Sequence, residues 1–228
     1  MNTRHILHDF NDAMDLLREE IVKMGAQTRS NLDRAVEGLV GGDLELCKLV
    51  IADDNEVDDA QVRIDGISIE ILLKFHPVAT DLRFVLSAMK VASNLERISD
   101  HAVNIAKRGR KILGIGAAAP DPDLGNFRRL YMLAASELAD ALVSLLDSDA
   151  SLGESLQAKD KELDRLYKEI VAGYSANLAS GGARTDIYLH LIFACRSLER
   201  IGDLSQNIGE DAVYLGKAKD IRHRRDEI

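Results

Sequence analysis

Tryptophan is absent from this 228-residue chain, aromatics make up only 4% of it, and there are three prolines. A β-sandwich or barrel draws on aromatic and β-branched residues, so the composition argues against that class. Cysteine is scarce: Cys47 and Cys195 form no Cys-x-x-Cys pair. Each sits in a helical pattern, the place of a small buried hydrophobe in a reduced compartment. No stretch approaches the ~20 apolar residues that cross a bilayer, and residues 1–10 lack the apolar run of a signal peptide. The chain is therefore expected to be cytoplasmic, touching a membrane only through a partner. Basic residues are outnumbered, 29 against 38, for a net charge of −9. That excludes a general nucleic-acid binder and suits cations or basic partner surfaces. No Gly-rich loop follows a strand, so there is no nucleotide fingerprint. No Ser-His-Asp or Cys-His spacing suggests a catalytic nucleophile.

At 46% hydrophobic residues the chain can bury a proper core. Apolar spacing predicts six helices, over about 12–40, 43–75, 80–113, 123–146, 149–179 and 185–215. Gly41-Gly42 stops the first and Asp43 caps the second. His76-Pro77 breaks the second, because the residue before proline avoids the α conformation. Gly181-Gly182 makes the corresponding turn later. The expected fold is all-α, two pseudo-symmetric three-helix bundles: residues 1–114, a linker at 115–122, and residues 123–228.

The halves repeat. Leu95-Glu96-Arg97-Ile98-Ser99-Asp100 followed by Asn104-Ile105 recurs as Leu198-Glu199-Arg200-Ile201-Gly202-Asp203 followed by Asn207-Ile208, offset by 103 residues. With an offset of 106, Leu32, Ala35, Val36, Leu39, Val40 and Asp43 fall on Leu138, Ala141, Leu142, Leu145, Leu146 and Asp149. Asp54, Glu56 and Asp58 likewise fall on Asp160, Glu162 and Asp164. A long-period repeat of this kind is one structural unit used twice.

Glu96 and Asp100 lie one helical turn apart, as do Asp54 and Asp58. Both cross pairs, 58 with 96 and 54 with 100, are centred on Pro77. In an antiparallel hairpin they stand at one height. In the second half, 164 with 199 and 160 with 203 are centred between Gly181 and Gly182. Each hairpin thus sets Asp54, Asp58, Glu96 and Asp100, or Asp160, Asp164, Glu199 and Asp203, at one level. Such pairs taken singly are usually solvated surface acids. The recurrence at matched height, and the register of Glu96 with apolar Leu82, Met89 and Val103, point to cation binding. The second copy (Ile192, Glu199, Gln206, Val213) is less apolar. Carboxylates on facing helices hold metals in bundle proteins, and oxygen ligands suit magnesium, manganese, calcium or ferric iron over copper.

Arg97 and Arg200 either orient these acids, receive an anion or balance charge. Asn104 and Asn207 either support them or link helices. His101 has no counterpart and reads as a surface or supporting residue, and His76 as a loop residue. The basic tail at 217–225 reads as a solvated terminus. A di-iron oxidase would need Glu-x-x-His on two helices, yet Ser99 and Gly202 stand where those histidines would be. The remaining alternative is a helical scaffold with solvated acids or a structural metal.

These segments resemble the PhoU family, accessory regulators of bacterial phosphate uptake. Pro77-Val78-Ala79-Thr80-Asp81-Leu82-Arg83 is similar to the family's Pro-x-Ala-x-Asp-Leu-Arg turn. The stretch from Cys195 to Asp203 is very close to its second motif. The resemblance covers nearly the whole chain and implies a non-enzymatic, often homodimeric cytoplasmic protein. It implies multinuclear metal clusters at Glu96 with Asp100 and Glu199 with Asp203, the ion being iron, manganese, magnesium or zinc. It further implies negative regulation of phosphate uptake and of the phosphate-starvation (Pho) regulon, through the Pst transporter ATPase and the PhoR sensor kinase. Ser99 departs from the family's usual glycine, and the two sites are expected to differ in occupancy.

Overall fold

The computed structural model describes residues 3–115, 124–179 and 184–218, with residues 3–6 by backbone alone, and all its regular elements are helices. They are α1 (Thr3–Gly41), α2 (Leu44–Ala52), α3 (Asp54–Phe75), α4 (Ala79–Ile115), α5 (Gly125–Leu146), α6 (Ala150–Ala179) and α7 (Thr185–Lys217). The Gly181-Gly182 turn, the interior of the expected linker and the basic tail from 219 onward lie outside the described residues.

Two boundaries differ from the expectation. α1 begins about nine residues early, and Phe10 on this extra stretch packs edge-on against Phe75, 5.4 Å between ring centres. The second expected helix is two pieces, α2 and α3, joined at Asp53. Asp53 leaves the helical conformation (φ −83°, ψ 3°), and Arg34 Nη1 donates to its carboxylate at 2.8 Å. With α2 and α3 counted as one interrupted helix, the six-helix pattern holds.

The ends are set by local chemistry. Asp43 accepts from the Glu45 and Leu46 amides at 2.9 and 3.1 Å, and Asp149 accepts from Ser151 and Leu152 at 2.9 and 3.0 Å. These caps occupy equivalent positions in the two halves. Asp43→Ala and Asp149→Ala should each cost about 1 kcal/mol in chemical denaturation; a change under a few tenths for both would show that neither bond matters. Gly42 takes φ +73° after α1, and His76 takes φ 49° after α3.

α1, α3 and α4 pack as one bundle, and α5, α6 and α7 as the other. α4 also packs along α7, and the buried side chains of both halves form one contiguous core. Between the bundles, buried Asp211 pairs with Lys90 at 3.3 Å, and Arg108 stacks 4.3 Å over the Phe193 ring. Cys47 and Cys195 are free and fully buried.

Candidate functional site

The pairing about Pro77 brings α3 and α4 acids within electrostatic reach. Burial raises the Glu96 carboxyl above its ordinary value, and the negative charges of Asp100, Asp58 and Asp54 raise it further, while Arg97 opposes them. Asp54 is likewise raised by burial, then by Asp100 and Asp58. Asp58 and Asp100 are exposed, and Glu96 and Asp54 half-buried.

The second cluster sits deeper, with Asp160, Asp164, Glu199 and Asp203 all half-buried. Burial, followed by Asp203, Asp164 and Glu199, pushes the Asp160 carboxyl up to about 6. Glu199 is raised by burial and Asp203 against the pull of Arg200. Arg200 donates to Asp203 at 2.9 Å and lies 3.5 Å from Glu199, so it orients the acids of its own cluster. Both clusters are oxygen-only donor sets, which is the chemistry of hard cations. Buried oxygens without hydrogen bonds, such as Asp160 Oδ1, fit such an ion. As the side chains stand, no three His, Cys, Asp or Glu groups among the described residues converge tightly enough to hold one.

One acid escaped the pairing about the turns. Glu137 on α5 is 1% exposed and its carboxyl is pushed up to about 8, by burial first and then by Asp160, with Lys159 opposing. Its signal in the sequence was a charged residue in the apolar stripe Ala134, Leu138, Ala141, aligned with Asn31 of the first half.

Arg97 and Arg200 line one cleft of about 270 Å³ with Asp203, Leu204, Gln206 and Asn207 at the α4–α7 seam. Asn104 and Asn207 are exposed. His101 is partly buried beside both arginines; burial lowers its pKa, which Asp100 counters.

A duplicated three-helix unit with an acid cluster on each α-hairpin defines the class: an all-helical repeat protein carrying the same row of carboxylates twice. The family model for the PhoU domain matches residues 21–109 and again 127–212. The chain belongs to the PhoU family. It is 31% identical to a phosphate-specific transport system accessory protein PhoU homolog of Pseudomonas putida, over 97% of this chain and 86% of that protein. It is also 31% identical to the phosphate-specific transport system accessory protein PhoU of Escherichia coli K12, over 96% and 90%. The crystal structure of PhoU from Pseudomonas aeruginosa superimposes with a TM-score of 0.87 at 29% identity, covering 92% of this chain and all of that one. That of the phosphate transport system regulatory protein PhoU from Streptococcus pneumoniae gives 0.84 at 25% identity, covering 93% and 99%. These relatives are accessory proteins, and the chain has a phosphate-transport role rather than an enzymatic one. No described helix is long and apolar enough to cross a membrane.

Proposed function

We propose that this protein is a cytoplasmic negative regulator of phosphate uptake and of the phosphate-starvation regulon. It works by contact, as a homodimeric adaptor between the Pst transporter ATPase and a PhoR-type sensor kinase, and the two acid clusters bind multivalent cations. The observation that carries the reading is the acid hairpin repeated in both halves of a PhoU-family chain. Two carboxylates about 4 Å apart repel by about 4 kcal/mol at an intermediate dielectric, so clustered acids gain from a cation between them. Deleting the gene should make alkaline phosphatase expression constitutive in high phosphate, with reversal by the wild-type copy. Expression that stays repressed, together with failure to recover the ATPase or the kinase in pull-downs, would sink the adaptor.

The absence of three convergent acids among the described residues favours a second reading, a scaffold with solvated acids. The two readings differ in thermal unfolding. With a cation bound at a hundred times its dissociation constant, stability rises by about 2.7 kcal/mol. Chelation should then lower the melting temperature, and Asp100→Asn or Asp203→Asn should shrink that drop. A scaffold would melt at the same temperature with or without chelator.

A further inference from the structure

The geometry points to Glu137 as a fifth, buried carboxylate of the second cluster, making it the tighter of two non-equivalent sites for a multivalent cation. This rests on the cation-binding reading above, and deepens it.

Glu137 reaches the cluster from α5, a helix outside the hairpin that carries the other four acids. Neither of its oxygens has a hydrogen-bond partner among the described residues, although the side chain is 1% exposed. Leaving a buried polar group unsatisfied is costly, so its retention needs a reason. Its carboxylate lies against Gly202. A Cβ on that glycine would lie 3.0 Å from Glu137 Oε2 and 3.4 Å from Asp160 Oδ1. The missing side chain therefore leaves room beside α7 where an α5 carboxylate and an α6 carboxylate meet, with the Leu163 Cδ1 methyl also 3.0 Å from that point. Gly202 sits between Glu199 and Asp203 in sequence, so the gap opens at the level of the other acids. Asp160 Oδ1 is buried without a partner as well. Two orphaned carboxylate oxygens from different helices share one space that no donor enters.

The first half closes the same space. The repeat offsets place Asn31 opposite Glu137 and Ser99 opposite Gly202. Asn31 is fully buried and donates Nδ2 to Ser99 Oγ at 3.0 Å. Its Oδ1 accepts from Arg34 at 2.7 Å and Gln27 at 3.3 Å. A neutral amide with its polar atoms occupied offers a cation nothing. The first cluster keeps four acids, two of them exposed, whereas the second gains a fifth in a buried setting. Affinity for a hard cation rises with the charge count of its ligands, and charge interactions strengthen as the local dielectric falls.

The experiment is titration of chelator-treated full-length protein with Mn2+, followed by electron paramagnetic resonance of free Mn2+, with a parallel Zn2+ calorimetric titration. Wild type should show two classes of site. Glu137→Gln keeps the shape of the side chain and matches a neutral acid, so the fold survives. It should weaken the tighter class by about tenfold or more, the scale for losing even a group that supports a ligand, and leave the weaker class unchanged. Gly202→Ala, which crowds Glu137 Oε2 and Leu163 Cδ1 alike, should do the same, while Asp100→Asn should spare the tight class. Two classes unchanged in Glu137→Gln, or the tight class lost through Asp100→Asn, would overturn the assignment with the cation reading intact. No binding of either ion to wild type would overturn both.

Discussion

Gly153→Leu is expected to remove the cooperative unfolding transition, or to lower stability by more than about 3 kcal/mol. At this crossing α6 and α7 touch backbone to backbone. A Cβ on Gly153 would lie 2.6 Å from the Gly209 carbonyl oxygen and 2.9 Å from Ser144 Oγ, and one on Gly209 would lie 2.4 Å from Leu156 Cδ1. The carbonyl belongs to a packed helix and cannot step aside as a side-chain tip can. Gly153→Ala gains about 1 kcal/mol of helix propensity and should still be destabilising. The first half solves the same crossing in reverse. Cys47 stands where Gly153 does, and Gly38 and Gly109 make room for its thiol: their missing side chains would begin 2.8 and 3.0 Å from the sulfur. Gly153→Cys therefore copies the residue without the space, and should cost more than Cys47→Ala. Denaturant melts of the four variants check this. A Gly153→Leu protein within 1 kcal/mol of wild type would mean that the helices slide apart freely.

In chelator, unfolding free energy should fall as pH rises from about 5 to about 8. The folded Glu137 carboxyl titrates near 8 against an ordinary value of 4.5, so the folded state holds a proton that the unfolded chain releases. Stability from this group is fully present below the unfolded value and is lost as pH rises through the folded one. The loss is on the order of 4 kcal/mol, set by burial and by Asp160, Asp203 and Asp164, with Lys159 opposing. Asp160, raised to about 6 from 3.8, adds a smaller loss of the same sign between those values. Glu137→Gln should flatten the upper part of the profile and make the chelated protein more stable than wild type at pH 8. A saturating cation should flatten it too, by taking the place of the proton. A Glu137→Gln profile as steep as that of wild type above pH 6 would show that Glu137 is ionised and solvated in the folded state.

Most helix boundaries, the duplication and the level pairing of the acids were legible in local order. Apolar spacing, the Asp43 and Asp149 caps and the His76-Pro77 break act within a few residues. Equal distance from a turn is arithmetic on the chain, which is why Asp54, Asp58, Glu96 and Asp100 could be brought together in advance. The interruption at Asp53 was not legible, because it is tied to Arg34 on a different helix. Nor was the start of α1, which is held by Phe10 against Phe75 across the bundle.

By itself, then, the sequence determined the all-helical class, the twofold repeat, the PhoU family and the four-acid rows, since each is written in residues close together or at a constant offset. The Ser99 departure already marked the two rows as unlike; only the tertiary structure showed what fills or opens the space beside each. Whether Gly202 leaves a gap or Ser99 fills one depends on what α5 or α1 presents there, Glu137 or Asn31. Those partners sit tens of residues away, and only close packing makes one missing Cβ into room for a carboxylate.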